Sequence, residues 1–210
     1  MAHPYNKSYL SDAMTGLAEA FDTAAFIYKF DLDYFLQLFI ISGIAAQFEG
    51  GNPKYVSGKS GAELVADTVL LTHASEVKRI NSIIVTPSEE YWTGWVLAYY
   101  QWYAGKRFKD IQKIISMVEL KNKYHPYHEM DEQKIVDYIN EKNENSNTVR
   151  RLQAYRKALG LSQTELAKES GINLRTLQQY EIGAKDLSKA AAASVVALSK
   201  SLKCSVEDLI

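Results

Sequence analysis

Two helix-start signals stand close together near the C terminus. Ser162-Gln-Thr-Glu165 has the pattern of a capping box, in which the serine and glutamate side chains each accept a hydrogen bond from a backbone N–H at a helix start. Gly171 stands where a helix end needs a left-handed residue, and Asn173 is a second N-cap. The pattern predicts helices over residues 163–170 and 174–180, joined by a tight turn.

Further helix signals surround this pair. An amphipathic helix precedes it, with apolar residues at Val149, Leu152, Tyr155 and Leu159. Gly160 ends that helix, and two more helices are predicted over residues 188–202 and 204–210. Residues 148–210 are therefore predicted to form five helices. A helix, a tight turn and a second helix form the geometry that places the second helix in the major groove of double-stranded DNA.

Three strings in this region carry a family resemblance. They are Leu159-Gly-Leu-Ser-Gln-Thr-Glu-Leu-Ala167, Ser170-Gly-Ile172 and Leu177-Gln-Gln-Tyr-Glu-Ile-Gly183. They resemble the Cro/CI-type (XRE) helix-turn-helix family of phage and bacterial repressors. The resemblance implies a five-helix, lambda-repressor-like DNA-binding domain and does not extend to the first two thirds of the chain.

The resemblance also implies which residues contact DNA. Gln163 is expected to bind a phosphate, aided by the N-terminal dipole of its helix. Arg175 is expected to pair with guanine, Gln179 with adenine, and Leu174 with a thymine methyl group. The expected contacts to the DNA backbone come from Asn173, Thr176, Gln178 and Lys185.

Two further expectations follow from the family. Arg156 and Glu181 stand where the family has an internal ion pair, and Arg156 is predicted both to hold Glu181 and to contact DNA. Family members bind palindromic operators as dimers, with half-sites about 34 Å apart. A homodimer on a palindromic operator is therefore expected.

Charge is distributed unevenly along the chain. From Thr148 onward there are 10 Lys and Arg against 6 Asp and Glu, whereas the preceding residues carry 14 against 19. The octapeptide at residues 140–147 has no apolar residue and is interpreted as a linker or the polar end of a helix. The predicted organisation is an acidic all-helical domain at 1–140, a polar linker at 141–147 and the DNA-binding domain at 148–210.

Helical signals also dominate the N-terminal part, so the predicted fold class is all-α. A first helix is expected after a cap at Ser11 or Asp12, and a second from Asp33 that carries residues 35–48. Capping boxes at Ser60 and Thr86 each open a helix. The remaining predicted helices cover residues 91–103, 108–115 and 131–139.

The helix at 91–103 is unusually rich in aromatic residues. Trp92, Trp95 and Tyr99 are predicted to be core residues. Tyr100, Trp102 and Tyr103 are predicted to form a contact surface for a partner or ligand, because aromatic residues are enriched at interfaces.

Several other classes of site are not indicated. Gly58-Lys59-Ser60 lacks the first glycine of a phosphate-binding loop, and the proline between His125 and His128 disfavours a regular metal-binding helix. No catalytic residues, metal or cofactor are predicted, and the chain is not expected to be an enzyme. Cys204 is the one cysteine, and no signal peptide or membrane span is seen, so a cytoplasmic protein is expected.

The leading functional hypothesis is a transcriptional regulator that acts as a repressor. The strings Leu38-Phe-Ile-Ile-Ser-Gly-Ile44, Ser57-Gly-Lys-Ser-Gly61 and Tyr99-Tyr-Gln-Trp-Tyr103 are similar to uncharacterised bacterial regulators with the same two-part layout. One alternative is an antitoxin, whose acidic N-terminal domain neutralises a toxin protein while the C-terminal domain represses the operon. The other is a ligand-sensing regulator with an aromatic pocket.

Overall fold

The computed structural model describes residues 3–78 and 88–210. Within these residues the regular elements are all helices, which confirms the predicted all-α fold class. Contacts divide the chain into two compact units, residues 1–137 and 138–210, called here the N-terminal unit and the C-terminal unit. The finer domain bounds, with a linker at 141–147, stay a prediction.

In the N-terminal unit a short 3-10 helix, Lys7–Tyr9, precedes the α-helices. These are α1 (Leu10–Phe26), α2 (Leu32–Ile41), α3 (Ile44–Glu49), α4 (Pro53–Val56), α5 (Gly61–Thr72), α6 (Glu89–Ala104), α7 (Phe108–Ile111), α8 (Met117–Lys121) and α9 (Tyr124–Tyr127). The next helix, α10 (Glu132–Ala158), contains residues of both units. The C-terminal unit continues with α11 (Gln163–Ser170), α12 (Leu174–Glu181), a 3-10 helix (Leu187–Lys189), α13 (Ala192–Leu202) and α14 (Val206–Leu209).

Helix α1 is the centre of the N-terminal unit, where it packs against α5 and α6. Its buried face is rich in small residues: Ala13, Gly16, Ala18, Ala20 and Ala24. Gly94 of α6 lies directly against this face, because a Cβ atom at that position would stand 2.5 Å from the carbonyl oxygen of Leu17. The helices can therefore approach closely only with glycine at this point.

A phenylalanine cluster forms the other main part of this core. Phe39 and Phe108 have ring centroids 5.8 Å apart, and Phe48 lies 5.8 Å from Phe108. Phe35 packs against Phe39 and edge-on against Phe21. These five side chains are fully buried and tie α2, α3 and α7 to α1.

Acidic side chains from distant segments bind the starts of several helices in this unit. The carboxylate of Asp33 accepts hydrogen bonds from the N–H groups of Met117 and Val118, at 2.7 and 3.2 Å. Glu49 accepts a hydrogen bond from the N–H of Phe108, at 2.5 Å. Negative groups at helix N-termini satisfy free N–H donors and interact favourably with the helix dipole.

Two more carboxylates, Glu19 and Asp22, accept hydrogen bonds at the starts of α5 and α6. Glu19 accepts a hydrogen bond from the N–H of Gly61, at 3.1 Å. Asp22 accepts one from the hydroxyl of Ser88, whose oxygen caps α6. Part of the acidic charge of the N-terminal unit therefore has an internal structural role.

Some predicted helix limits are wrong. The helix predicted to carry residues 35–48 is two helices, because Ser42 ends α2 by donating to the carbonyl of Phe39, and Gly43 follows with a φ of 79°. Helix α1 begins at Leu10, before the predicted cap at Ser11 or Asp12.

Two capping boxes were predicted in this unit. The one at Ser60 is confirmed, since its side chain accepts from the N–H of Glu63 and the Glu63 side chain accepts from the N–H of Ser60. The other falls partly on Thr86 and Pro87, which lie outside the described residues. Helix α6 itself is capped by Ser88, whose oxygen accepts from the N–H of Tyr91.

The polar segment at 141–147 is helical and lies within α10. The short helix predicted over residues 131–139 consequently extends to Ala158. The physical reason is that this segment holds no glycine or proline, and a polar composition alone does not end a helix.

Candidate DNA-binding surface

Local capping defines the two helices at the centre of the C-terminal unit. Ser162 and Glu165 form the predicted capping box at the start of α11. Gly171 has a φ of 68°, a conformation that is strained for other residues, and it ends α11 where predicted. The side chain of Asn173 accepts hydrogen bonds from the N–H groups of Arg175 and Thr176, at 2.9 and 3.4 Å. The limits of both helices agree with the prediction to within one residue.

A compact apolar core holds α12 in place. Leu177 is fully buried and Tyr180 nearly so, and both belong to a cluster with Leu166 and Ala167 of α11. The cluster also contains Leu198, Leu202 and Leu209 from α13 and α14. Because α12 is buried on this face alone, its opposite face is available to a partner.

The accessible face of α12 carries the residues that the family resemblance assigned to DNA reading. Arg175 and Gln178 are exposed, and Thr176 and Gln179 are half-buried. Within the described part of the chain, the Arg175 guanidinium makes no hydrogen bond or ion pair. Lys185 is also exposed. Its backbone N–H donates to the carbonyl of Gln179, at 3.1 Å, so the backbone of Lys185 lies next to the last turn of α12.

Leu174 differs from the rest of this set. It was predicted to project from the exposed side of the helix, but it is half-buried and packs against the apolar core. Ile172, two residues before it, packs against the same core. Leu174 therefore has a structural contact in addition to any contact it makes with DNA.

The predicted ion pair between Arg156 and Glu181 is present and well formed. Arg156 Nε donates to Glu181 Oε1 at 2.5 Å and Nη2 to Oε2 at 2.9 Å, while Nη1 donates to the carbonyl of Leu161 at 2.8 Å. The side chains of Arg156 and Glu181 are 11% and 1% exposed. All three guanidinium nitrogens thus have partners inside the unit, which favours a structural role for Arg156.

Gln163 joins this ion pair, which the sequence did not predict. Its Nε2 donates to Glu181 Oε2, at 2.8 Å, and the carbonyl of Glu181 accepts from Gln153 Nε2, at 2.6 Å. An amide nitrogen carries two hydrogens, so Gln163 keeps one N–H for another acceptor. Glu181 thereby orients Gln163 at the N-terminus of α11, where a phosphate is expected.

The environment shifts the pKa of both charged groups. Burial raises the pKa of Glu181, but the hydrogen bonds from Arg156 and Gln163 and the charge of Arg156 together outweigh burial and leave that pKa below its usual value. The hydrogen bond to Glu181 raises the pKa of Arg156. Both groups are therefore charged at neutral pH.

The aromatic residues of α6 are arranged differently from the prediction. Tyr100 and Trp102 are buried, and Trp102 Nε1 donates to the carbonyl of Tyr5, at 2.9 Å. The predicted core residues Trp92, Trp95 and Tyr99 are instead half-buried, like Tyr103. The face of α6 that contains Gly94, Leu97 and Gln101 is buried, which leaves the face with Trp92, Trp95 and Tyr99 outermost.

Two other motifs carry side chains that can bind ligands. Lys59, which follows Gly58, pairs with Asp67 at 2.5 Å, and Ser60 caps α5. His125 and His128 have ring centroids 4.7 Å apart. Among the described residues no group of three or more His, Cys, Asp and Glu is placed to hold a metal ion.

Comparison with known protein families agrees with this geometry. Residues 152–209 match the family described as "Helix-turn-helix". This part of the chain is a Cro/CI-type helix-turn-helix domain. The match lies within the C-terminal unit and covers α11 to α14, so it concerns a DNA-binding, regulatory domain.

Neither the curated proteins nor the solved structures include a significant match to the chain. None of the helices in residues 3–78 and 88–210 combines the length and the apolar content needed to cross a membrane.

Proposed function

We propose that the protein represses transcription by binding a palindromic operator as a homodimer, with α12 of each protomer in the major groove. The observation that carries this proposal is the position of Arg175 and Gln179 on the face of α12 opposite the buried Leu177. In this orientation Arg175 can donate two hydrogen bonds to guanine, and Gln179 can pair with adenine.

The other residues of the surface are assigned to contacts that orient the domain on DNA. The N-terminus of α11 and the second N–H of Gln163 bind a phosphate, which fixes the angle at which α12 enters the groove. Contacts to the DNA backbone come from Asn173, Thr176, Gln178 and Lys185. Arg156 acts mainly through Glu181, whose carboxylate holds Gln163.

A dimer is proposed because one α12 can contact only a small number of bases. Two domains on half-sites about 34 Å apart double the contacts and require a palindromic sequence. Sedimentation with and without operator DNA tests this arrangement. A single protomer bound per palindrome would contradict it.

The DNA-reading assignment is tested by selecting an operator from genomic fragments and measuring affinity by fluorescence anisotropy over a salt series. Arg175→Ala is expected to cost about 1–3 kcal/mol and to relax preference at one base position. Lys185→Ala should weaken all sequences equally and flatten the salt dependence. Arg150→Ala removes the same charge from an exposed position outside α12 and is the matched control. Unchanged operator discrimination in Arg175→Ala would contradict the assignment.

Repression itself requires a separate measurement. A reporter gene under the selected operator should be expressed at a low level with the wild-type protein and at a high level with Arg175→Ala. Increased expression in the presence of the wild-type protein would identify an activator and contradict the repressor proposal.

Ligand sensing is the second candidate function, and one observation favours it. The N-terminal unit contains a cavity of about 270 Å³ lined mainly by aromatic side chains. A thermal shift of the full chain against a panel of small metabolites, followed by operator affinity with and without each hit, tests this function. The antitoxin hypothesis stays a prediction, and the internal use of Asp33, Glu49, Glu19 and Asp22 weakens the argument from acidic charge.

A further inference from the structure

The cavity of the N-terminal unit is formed by three parts of the fold. One wall is the outer face of α6, and the other walls come from α9 and the start of α10. Its principal lining residues are Trp92, Trp95, Tyr124, Tyr127, His128 and Glu132. Its volume is slightly below the 300–1,000 Å³ or so of pockets for drug-sized ligands, so it suits a small molecule.

The aromatic rings of this cavity are held in defined orientations. Trp92 and Tyr124 meet edge to face, with centroids 5.7 Å apart. Tyr124 stacks on His128, with centroids 4.1 Å apart, and His128 Nδ1 lies 2.9 Å from the carbonyl oxygen of Tyr124. A carbonyl oxygen only accepts, so Nδ1 carries the hydrogen and the ring is fixed as a wall of the cavity.

The one permanent charge among the described lining residues is negative. Glu132 is the one carboxylate among the described lining residues, and no lysine or arginine is found among them. In the described part of the chain the Glu132 carboxylate makes no hydrogen bond or ion pair, although it is half-buried. Burial raises the pKa of the nearby Tyr99, and the negative charges of Glu132 and Asp131 raise it further.

We propose that this cavity binds a small organic cation, a quaternary ammonium or protonated amine, between the aromatic faces and Glu132. The faces of tryptophan and tyrosine rings carry negative electrostatic potential, which attracts cations within about 6 Å of the ring centre. Several such rings with a single carboxylate form a site in which a cation is favoured over a neutral molecule of equal shape. Half-buried Trp92 and Trp95 are thereby explained as ligand contacts.

The experiment compares two probes of nearly equal shape on the full chain. Choline and 3,3-dimethylbutan-1-ol differ at the centre of the head group, where one has a charged nitrogen and the other a carbon atom. Calorimetry measures affinity, and fluorescence reports on the cavity because two of the three tryptophans line it. Choline should bind saturably, and the neutral alcohol at least about tenfold more weakly.

Variants of the lining residues test which groups supply the preference. Glu132→Gln keeps the shape of the side chain and should weaken choline about tenfold without changing the affinity for the alcohol. Trp95→Leu should abolish choline binding, and Trp92→Phe should weaken it severalfold. Circular dichroism shows whether each variant is folded, and Glu207→Gln, an exposed carboxylate of the C-terminal unit, is the charge-matched control.

Three results would overturn the proposal. The first is equal affinity for choline and its neutral isostere. The second is the absence of saturable binding for choline, tetramethylammonium and benzyltrimethylammonium. The third is unchanged choline affinity in both Glu132→Gln and Trp92→Phe when these variants are folded. The inference supplies a ligand class for the sensing function but is separable from it. Choline binding with unchanged operator affinity would support the site and contradict sensing of that ligand.

Discussion

Local caps begin helices in both units, but in the N-terminal unit carboxylates from distant segments also bind helix starts. In the C-terminal unit, Ser162 caps a helix that begins at the next residue, and Asn173 does the same for α12. In the N-terminal unit, Asp33 binds the start of a helix 84 residues later, and Asp22 bonds to Ser88 at the start of α6. The candidate DNA-binding surface therefore depends on local signals, and the aromatic cavity depends on the packing of distant segments.

The ion pair of Arg156 and Glu181 is the exception that tests this contrast, because its partners are 25 residues apart. Glu181→Gln leaves the Arg156 charge largely buried without its partner. We expect a loss of about 3–5 kcal/mol in the free energy of unfolding, since breaking one half of a buried pair costs this much. Urea denaturation followed by circular dichroism measures it.

The ion pair of Arg156 and Glu181 also predicts how stability changes with pH. The pKa of Glu181 is lowered from 4.5 in the folded state, so its contribution to stability is complete above about pH 4.5 and is lost as the pH falls through the folded-state pKa. The difference in stability between the wild type and Glu181→Gln should therefore shrink in acid. A difference that stays constant down to pH 2 would show that the carboxylate charge is not the stabilising group.

In the N-terminal unit the largest expected effect comes from the contact between α1 and α6. Gly94→Ala places a Cβ atom 2.5 Å from the carbonyl oxygen of Leu17, which forces the helices apart. We expect a loss of about 2–3 kcal/mol, typical of overpacking. All three tryptophans lie in α6, so urea denaturation followed by tryptophan fluorescence reports on this unit.

Gly16 provides the matched control for this substitution. It also lies in the buried face of α1, but a Cβ atom there would be 3.7 Å from its nearest neighbour, the carbonyl oxygen of Lys59, which is an ordinary contact. Gly16→Ala should leave stability unchanged or raise it, since alanine is the better helix former. Equal destabilisation by both substitutions would mean that Gly94 is not required for close helix packing.

The same contrast explains what could be predicted from the sequence. The limits of α11 and α12 were predictable because Ser162, Gly171 and Asn173 act within a few residues of themselves. The family resemblance predicted the ion pair of Arg156 and Glu181. It did not predict the hydrogen bond from Gln163 to Glu181, because no spacing rule relates a glutamine at the start of one helix to the end of the next helix.

The N-terminal unit was predicted less well for a physical reason. Aromatic residues on both faces of α6 left no periodicity to show which face is buried. The buried face of α6 is the one with Gly94, because a residue without a side chain lets α1 approach closely. Glycine gives no hydrophobic signal in the sequence. Tyr100 and Trp102 were consequently assigned to the surface although they are core.

A direct comparison of a distant cap with a local one gives the smallest expected losses of stability. Asp33→Ala removes a charged acceptor from two N–H groups at the start of α8 and should cost about 2 kcal/mol, measured by tryptophan fluorescence. Ser162→Ala removes one neutral acceptor at the start of α11 and should cost about 1 kcal/mol, measured by circular dichroism. If Asp33→Ala costs no more than Ser162→Ala, distant carboxylates do not fix the helix starts of the N-terminal unit. The position of its helices, and of the aromatic cavity between them, would then depend on apolar packing alone.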